Sequence, residues 1–501
     1  MSILIKGATV VAQDEQHGSK PFQADVLIEG DRIAKVGEGL DASDADVIDA
    51  RGKLVIPGLV NAHAHSSQNL TRGRFPSMPL EVFMLYCVPL DRAFALPPRL
   101  VYLRSLLLGI ESLKSGVTCL LDDVAELPTQ TMEQLQAVFD AYDDLGIRAN
   151  VSGHVINKPF LDTLPYSDEI FPEQVRRDFH SVDPPTTESY LEFSEEAVRR
   201  FHGRAGRLRY VVAPSGPQRC TEDLLVAASD FSKRHDVPYH IHVLETKVQL
   251  VTAREFHGKS FVEYLHGLGT LHDRVAMAHT IWVTDDDIEL MAESGCSIAH
   301  NPICNLRMGS GIAPLRQLID AGVNVALGTD QLNGNDRGPV FDVMHVAGLV
   351  HNVTSWEYGS WPSAGEIFRA ATLGGARCVG SEIGSIEDGK LADLSILSLD
   401  SPRLTPLNEP VVHLVYAENG ASVETVVVNG QVVVRDREVT RVDEREVLDE
   451  VRARYPDYLA QQERMEAMSR DLEPYFAELY RRCVEQEVEL DRVLTQAGVT
   501  T

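Results

Sequence analysis

A chain of 501 residues, 44% hydrophobic and 24% charged, is too long for one minimal domain and too ordinary in composition for extensive disorder. Its 74 acidic against 46 basic residues give a formal net charge of −28, which argues against nucleic-acid or anionic-membrane binding as the main activity. The 7 cysteines are odd in number and have no CxxC spacing, so they suit buried thiols in a reducing compartment better than a disulfide framework.

The N-terminus has no basic stretch followed by a long apolar one. No apolar run approaches the roughly 20 residues of a membrane span; residues 101–113 are broken by Arg104 and Glu111. A cytoplasmic protein is expected, with a small-molecule substrate, no nucleic-acid or membrane partner, and further copies of the chain in a homo-oligomer.

Residues 1–50 alternate apolar and polar positions between turn residues, and read as short antiparallel strands over 3–11, 24–29, 32–36 and 46–49. The unit is too small to bury itself alone. From about residue 54 the pattern becomes strand–helix alternation. Strands are expected over 54–65, 118–122, 148–154, 208–214, 238–245, 275–279, 297–301 and 323–330. Helical segments are expected over 98–115, 131–145, 187–202, 222–235, 260–268, 284–294 and 314–321. Eight apolar strands with intervening helices are the count of a (β/α)8 TIM barrel, in which working residues sit at the C-terminal strand ends. His63, His65, His154, His240, His242, His279, His300 and Asp330 all fall at or near such ends. Chance placement of 17 histidines would not give that distribution.

Two insertions interrupt the barrel. Residues 66–97 carry Phe75, Phe83, Met84, Tyr86 and Phe94, and residues 156–186 carry Phe160, Tyr166 and Phe171. Loops of this length are pocket walls or lids, or else surface excursions packed on their own aromatics. For the second insertion the two readings weigh equally. After residue 376 the β character returns, with an Asn429-Gly430 hairpin turn. The expected organisation is therefore a β-sandwich formed by both chain ends (1–53 and 376–440), a metal-dependent barrel inserted between them (54–375), and a helical tail (441–501) packed on its own barrel.

The chemistry starts at Pro57-Gly58-Leu59-Val60-Asn61-Ala62-His63-Ala64-His65. Alternate residues of a strand share a face, so His63 and His65 point together. His240 and His242 repeat the pattern, and Asp330 ends the eighth strand. Three neutral imidazoles, two from the first pair and one from the second, with one carboxylate suit a single divalent metal, Zn2+ before Fe2+. A metal there lowers the pKa of bound water. Glu245 is a candidate proton donor to the leaving group, and His279 and Asp330 are candidates for handling the water proton. The fourth strand contains no lysine to bridge a second metal.

In this order the motifs resemble the amidohydrolase superfamily, in the branch of S-adenosylhomocysteine deaminase, guanine deaminase, atrazine chlorohydrolase and hydroxyatrazine ethylaminohydrolase. The marks are the His63-x-His65 run, Arg72-Gly73, His240-x-His242-x-x-Glu245, Ala278-His279, His300-Asn301-Pro302 with Asn305, Gly328-Thr329-Asp330, and Gly384-Ser385-Ile386 with Gly389-Lys390-Leu391-Ala392-Asp393. The resemblance implies His63, His65, His242 and Asp330 as metal ligands, with His240 in support and Glu245 and His279 as the catalytic pair. It also implies the β-domain from both chain ends.

The segments that flank the pocket depart from the branch pattern at residues 74–83, at Cys304 and after Asp330. Pocket candidates are Gln68, Arg72, His154, Gln218 and Asn305. The leading expectation is an aminohydrolase releasing ammonia or an alkylamine from an amino-substituted nitrogen heterocycle of nucleobase or triazine type. Cleavage of an acyclic C–N bond, as in a urea, carbamate or amide, is the alternative, and a non-catalytic metal-stabilised binding protein ranks last.

Overall fold

The computed structural model describes residues 2–87, 95–126, 129–181 and 183–493. Phe94 of the first insertion lies outside them.

Both chain ends contribute to one sheet of nine strands. Its path runs Glu438–Val439, Gln431–Arg435, Val423–Val428, Leu394–Ser398, Lys53–Pro57, Ser2–Val10, Phe22–Glu29 and Arg32–Gly37, with Asp46–Asp49 paired parallel to Ser2–Val10. One face buries Ile3, Ile5, Val26, Ile28, Val55, Leu394, Ile396 and Val427 in a common apolar cluster, so N- and C-terminal strands that cannot bury themselves separately do so together.

The residues expected as one strand over 54–65 form two strands in two sheets. Residues 54–57 pair with Leu394–Ser398, and the chain leaves for the barrel at Gly58. A Cβ at Gly58 would lie 2.1 Å from Thr118 Oγ1, so the crossing requires glycine. The continuous hydrophobic run concealed this break, because both strands are buried.

The barrel strands, numbered here in chain order, are β1 (Leu59–His65), β2 (Val117–Asp122), β3 (Arg148–Val155), β4 (Leu208–Pro214), β5 (Tyr239–Val243), β6 (Val275–His279), β7 (Ser297–His300) and β8 (Asn324–Leu327). Successive strands pair in parallel. After β8 the chain breaks at Gly328-Thr329, and Asp330–Gln331 then pairs in parallel with Ala64 and His65 at the end of β1. The eighth strand thus meets β7 with its first half and β1 with its second, which closes the ring. The strands are buried almost throughout, as expected of parallel strands covered by helices.

Helices stand between the strands much as the periodicity predicts. Two begin with reciprocal caps, Thr131 with Gln134 and Thr284 with Asp287. Helix Lys247–His257, directly after Glu245, was not expected; Thr246 caps it by accepting from the Gln249 amide. The tail forms two helices, Glu444–Arg470 and Glu473–Val484. Phe476, Leu479 and Cys483 of the second are buried against Val82 and Leu85 of the first insertion, Leu161 and Phe171 of the second, and Val248 and Val251 beyond β5. Among the described residues no helix is long and apolar enough to cross a membrane.

Candidate active site

Three strand ends deliver the central cluster. His63 and His65 project from β1 and His242 from β5, with ring centroids 4.7 Å (His63–His65), 4.9 Å (His63–His242) and 5.5 Å (His65–His242) apart. Asp330 enters across the broken eighth strand. Asn61 of β1 clamps that break: its Nδ2 donates to Thr329 Oγ1 at 2.8 Å, and its Oδ1 accepts from the Thr329 amide at 3.0 Å. Asp330 Oδ1 then lies 3.3 Å from both His63 Nε2 and His65 Nε2. Asp330, His279 and Leu244 hold φ of 61°, 73° and 51°, the left-handed region that side-chain-bearing residues rarely enter. Such conformations persist where the surrounding structure dictates them, commonly at functional sites.

Each Nδ1 atom of the three histidines has a partner behind the cluster. His63 Nδ1 meets His240 Nε2 at 2.9 Å, His65 Nδ1 meets the Asp123 carbonyl at 2.5 Å, and His242 Nδ1 meets the Ser215 carbonyl at 2.9 Å. These contacts fix the rings with Nε2 facing inward. His63 Nε2 is buried and has no hydrogen-bond partner. A buried ring nitrogen without a partner, beside two further inward nitrogens and a carboxylate, fits a cation. His63, His65 and Asp330 form one group whose donor atoms lie within 4.8 Å of one another, and His63, His242 and His279 form another. His240 does not compete for the site, because its Nε2 is spent on His63.

Electrostatics match that geometry. Burial pushes the His63 imidazole down to about 4, against the opposing pull of Asp330. At His65 burial is outweighed by Asp330 and Asp123, which raise it to about 9. Asp330 is held well below the usual carboxylate range: burial opposes this, and the surrounding histidines, His63 first, prevail. The cluster therefore faces an anionic carboxylate toward a point where positive charge is stabilised.

Glu245 and His279 stand beside the cluster. His279 Nε2 is 3.6 Å from Glu245 Oε2 and 3.7 Å from Asp330 Oδ2, while its Nδ1 meets Asn305 Oδ1 at 2.9 Å. The Glu245 backbone N–H donates to Gln249 Oε1 at 2.9 Å, which ties the end of β5 to the next helix. Burial raises the Glu245 pKa, with His279 opposing and Asp330 reinforcing.

A cavity of about 450 Å³ opens above these groups, within the usual range for small-molecule sites. His65, His242, Glu245, His279 and Asp330 line its floor, and Leu80, Met84, Tyr190 and Phe193 contribute apolar wall. Both insertions reach it, the first through Leu80, Met84 and Cys87 and the second through Ile156, Asp183 and Pro185. The middle of the second insertion packs instead on the tail, with Phe160 and Phe171 against Phe476.

Of the five pocket candidates, Gln68 and His154 line the cavity. Three do not. Arg72 turns away to Glu111, at 2.6 and 3.1 Å, and to the Asp336 carbonyl, because a carboxylate is its nearest partner. Gln218 is buried against Glu81, Phe160 and Phe476 in an adjoining space of about 20 Å³. Asn305 is spent on His279. Sequence reading missed Asp123, whose carboxylate accepts from Ser152 Oγ at 2.6 Å and lies 3.0 Å from His154 Nδ1. The Leu121-Asp122-Asp123 run at a strand end was the available signal. It also missed Arg219 and Gln331, which line the cavity.

With this geometry in hand, the comparison with known proteins is direct. The model of the amidohydrolase family matches residues 54–433. This chain belongs to the amidohydrolase family. It is accordingly a hydrolase acting on carbon–nitrogen bonds other than peptide bonds. It is 34% identical over 455 residues to 5'-deoxyadenosine deaminase of Methanothermobacter thermautotrophicus, covering 89% of this chain and 96% of that one. It is 33% identical over 440 residues to 5-methylthioadenosine/S-adenosylhomocysteine deaminase of Thermococcus onnurineus, covering 88% and 95%. Among solved structures, atrazine chlorohydrolase from Arthrobacter aurescens in complex with zinc superposes with a TM-score of 0.82 at 27% identity, over 91% of this chain and 100% of that one. An adenosine deaminase from Xanthomonas campestris with bound zinc gives a TM-score of 0.79 at 26% identity, over 92% and 98%. The amidohydrolase fold thus extends across both the barrel and the sheet built from the chain ends.

Proposed function

We propose that this amidohydrolase is a zinc-dependent aminohydrolase that releases ammonia or an alkylamine from an amino-substituted nitrogen heterocycle of nucleobase or triazine type. The observation that carries the reading is the Glu245–His279–Asp330 arrangement at the cavity floor. The deaminase and triazine-hydrolase relatives support the choice of substrate class.

His63, His65, His242 and Asp330 would hold the ion. When bound, zinc supplies Lewis acidity and makes water reactive near neutral pH. The protein's own part is proton management. His279, steadied by Asn305, and Asp330 Oδ2 orient the attacking water and receive its proton. Glu245, whose pKa is raised by burial, donates to the ring nitrogen next to the carbon under attack. The C–N bond to the exocyclic amine then breaks, the amine takes up a proton, and the ring carbon keeps the water oxygen. Leu80, Met84, Tyr190 and Phe193 exclude bulk water and offer flat apolar contact to the ring.

The test uses the zinc-loaded full chain with 5'-deoxyadenosine and an alkylamino-triazine, following ammonia or amine release. Glu245→Gln should lower kcat by roughly 10²–10⁴-fold with zinc content unchanged, since a general acid contributes on that scale. A zinc-loaded protein that releases no amine from any aminated heterocycle overturns the reading. So does a Glu245→Gln variant with wild-type turnover.

A further inference from the structure

The first insertion carries a short helix, Leu80–Cys87, whose Leu80, Met84 and Cys87 line the cavity. Its other apolar side chains pack away from the cavity: Phe83 lies edge-on to Phe75, and Val82 and Leu85 join the cluster built on Phe476. Glu81 is the exception. It is buried, where an apolar residue would avoid the cost of withdrawing a carboxyl group from water. Its Oε1 accepts from Thr246 Oγ1 at 2.7 Å. Among the described residues this is the only side-chain hydrogen bond between the helix and the segment that holds Glu245.

That bond begins a chain of three. The Thr246 hydroxyl donates its hydrogen to Glu81 and accepts from the Gln249 amide at 3.2 Å. Gln249 Oε1 then accepts from the Glu245 backbone N–H at 2.9 Å. Thr246, Gln249 and Glu245 are all buried, so each relies on the next rather than on bulk water.

Glu245 needs such a tie because it lies beyond the barrel ladder. β5 pairs with β6 only as far as Val243 and His279. The next residue, Leu244, holds φ of 51°, and its carbonyl accepts from the Ile281 and Trp282 amides at 3.0 Å. One side of this turn is thus fixed to the loop after β6. The other side, the Glu245 N–H, is fixed through Gln249 and Thr246 to the first insertion. Glu81 stands at the far end of that second tie, outside the lining of the cavity.

We propose that Glu81 is a positioning residue: through Thr246 and Gln249 it sets the proton donor Glu245 from the first insertion, without touching substrate. This deepens the reading of Glu245 as the general acid and rests on it. The insertion that walls the cavity thereby also places the group that protonates the leaving side of the substrate.

The test is a double-mutant cycle on the zinc-loaded full chain, following ammonia release from 5'-deoxyadenosine. Glu81→Leu should lower kcat by roughly 10–100-fold with zinc content held, the scale of a small misplacement of a catalytic group. In a Glu245→Gln background the same change should alter kcat by less than about threefold, because the two residues act as one unit. Glu81→Gln, whose amide oxygen still accepts from Thr246, should recover most of the loss. Thr246→Val removes the same bond from its other end and serves as the second variant should Glu81→Leu not fold. Wild-type kcat without the bond, an equal loss in both backgrounds, or no recovery in Glu81→Gln overturns the inference. Wild-type turnover in Glu245→Gln overturns the aminohydrolase reading with it. Amide hydrogen exchange over residues 244–249 reads the link without turnover: it should quicken in Glu81→Leu, and an unchanged rate overturns the inference whatever substrate the enzyme takes.

Discussion

Gly328 is where one added methyl group should do most harm to the active site. It lies at the break of the eighth strand, and a Cβ built on it would fall 2.4 Å from Asn301 Oδ1, 2.8 Å from His63 Cβ and 2.9 Å from the His63 carbonyl oxygen. Neither neighbour can yield cheaply. Asn301 is fully buried. His63 is held through Nδ1 by His240 at 2.9 Å and faces Asp330 Oδ1 at 3.3 Å through Nε2. Gly328→Ala must therefore displace β1 from the Asp330 segment. Overpacking of this kind costs about 1–3 kcal/mol, and a displaced ligand set lowers metal affinity by roughly 10–100-fold, as loss of an orienting partner does.

Zinc retention under chelator competition, thermal unfolding and ammonia release from 5'-deoxyadenosine read the three consequences. Gly37→Ala is the control, because a Cβ there meets nothing within 4 Å. Wild-type zinc affinity and turnover in Gly328→Ala would refute the claim that this close approach sets the geometry.

His240→Phe should keep the fold and weaken zinc binding by roughly 10–100-fold, since His63 loses the partner of its Nδ1; zinc titration decides it, and an unchanged affinity would make His240 a packing residue. Phe476→Ala should destabilise by about 3–5 kcal/mol, because the ring is fully buried against Phe160 and Phe171. Limited proteolysis should then cut the tail and the second insertion first, and an unaltered cleavage pattern would contradict their coupling. Glu81 gives a pH signature. Its carboxyl is raised by burial from 4.5 to about 7, so the folded chain prefers it protonated. That contribution is fully present below pH 4.5 and is lost as pH climbs through 7. Glu81→Gln should match the wild type near pH 4 and become the more stable of the two above pH 7, by on the order of 3 kcal/mol. Parallel stability curves from pH 4 to 8 would refute it.

Much of this was legible in the chain. His63 with His65 and His240 with His242 declare themselves by alternation, because a strand puts every second side chain on one face. Barrel architecture then places strand ends on one rim, and so predicts that Glu245, His279 and Asp330 approach them. Sequence also made plain that the two chain ends share β character. It did not show which of two equivalent partners a polar side chain selects. Arg72, Gln218 and Asn305 carry the right chemistry for a pocket, but Glu111, the Gln218 niche under Glu81 and His279 claim them first.

What the sequence determined by itself is which side chains gather at the barrel rim, because residue type and strand periodicity are local properties. The tertiary structure decided three further things. The crossing at Gly58 divides one apolar run between two sheets, since burial looks the same in both. His242 faces inward and His240 supports His63 because of where Ser215 and His63 stand on neighbouring strands. Arg219, from the loop after β4, lines the same cavity as Glu245, His279 and Asp330. Each depends on distances between residues far apart in the chain, which no pattern along the chain encodes.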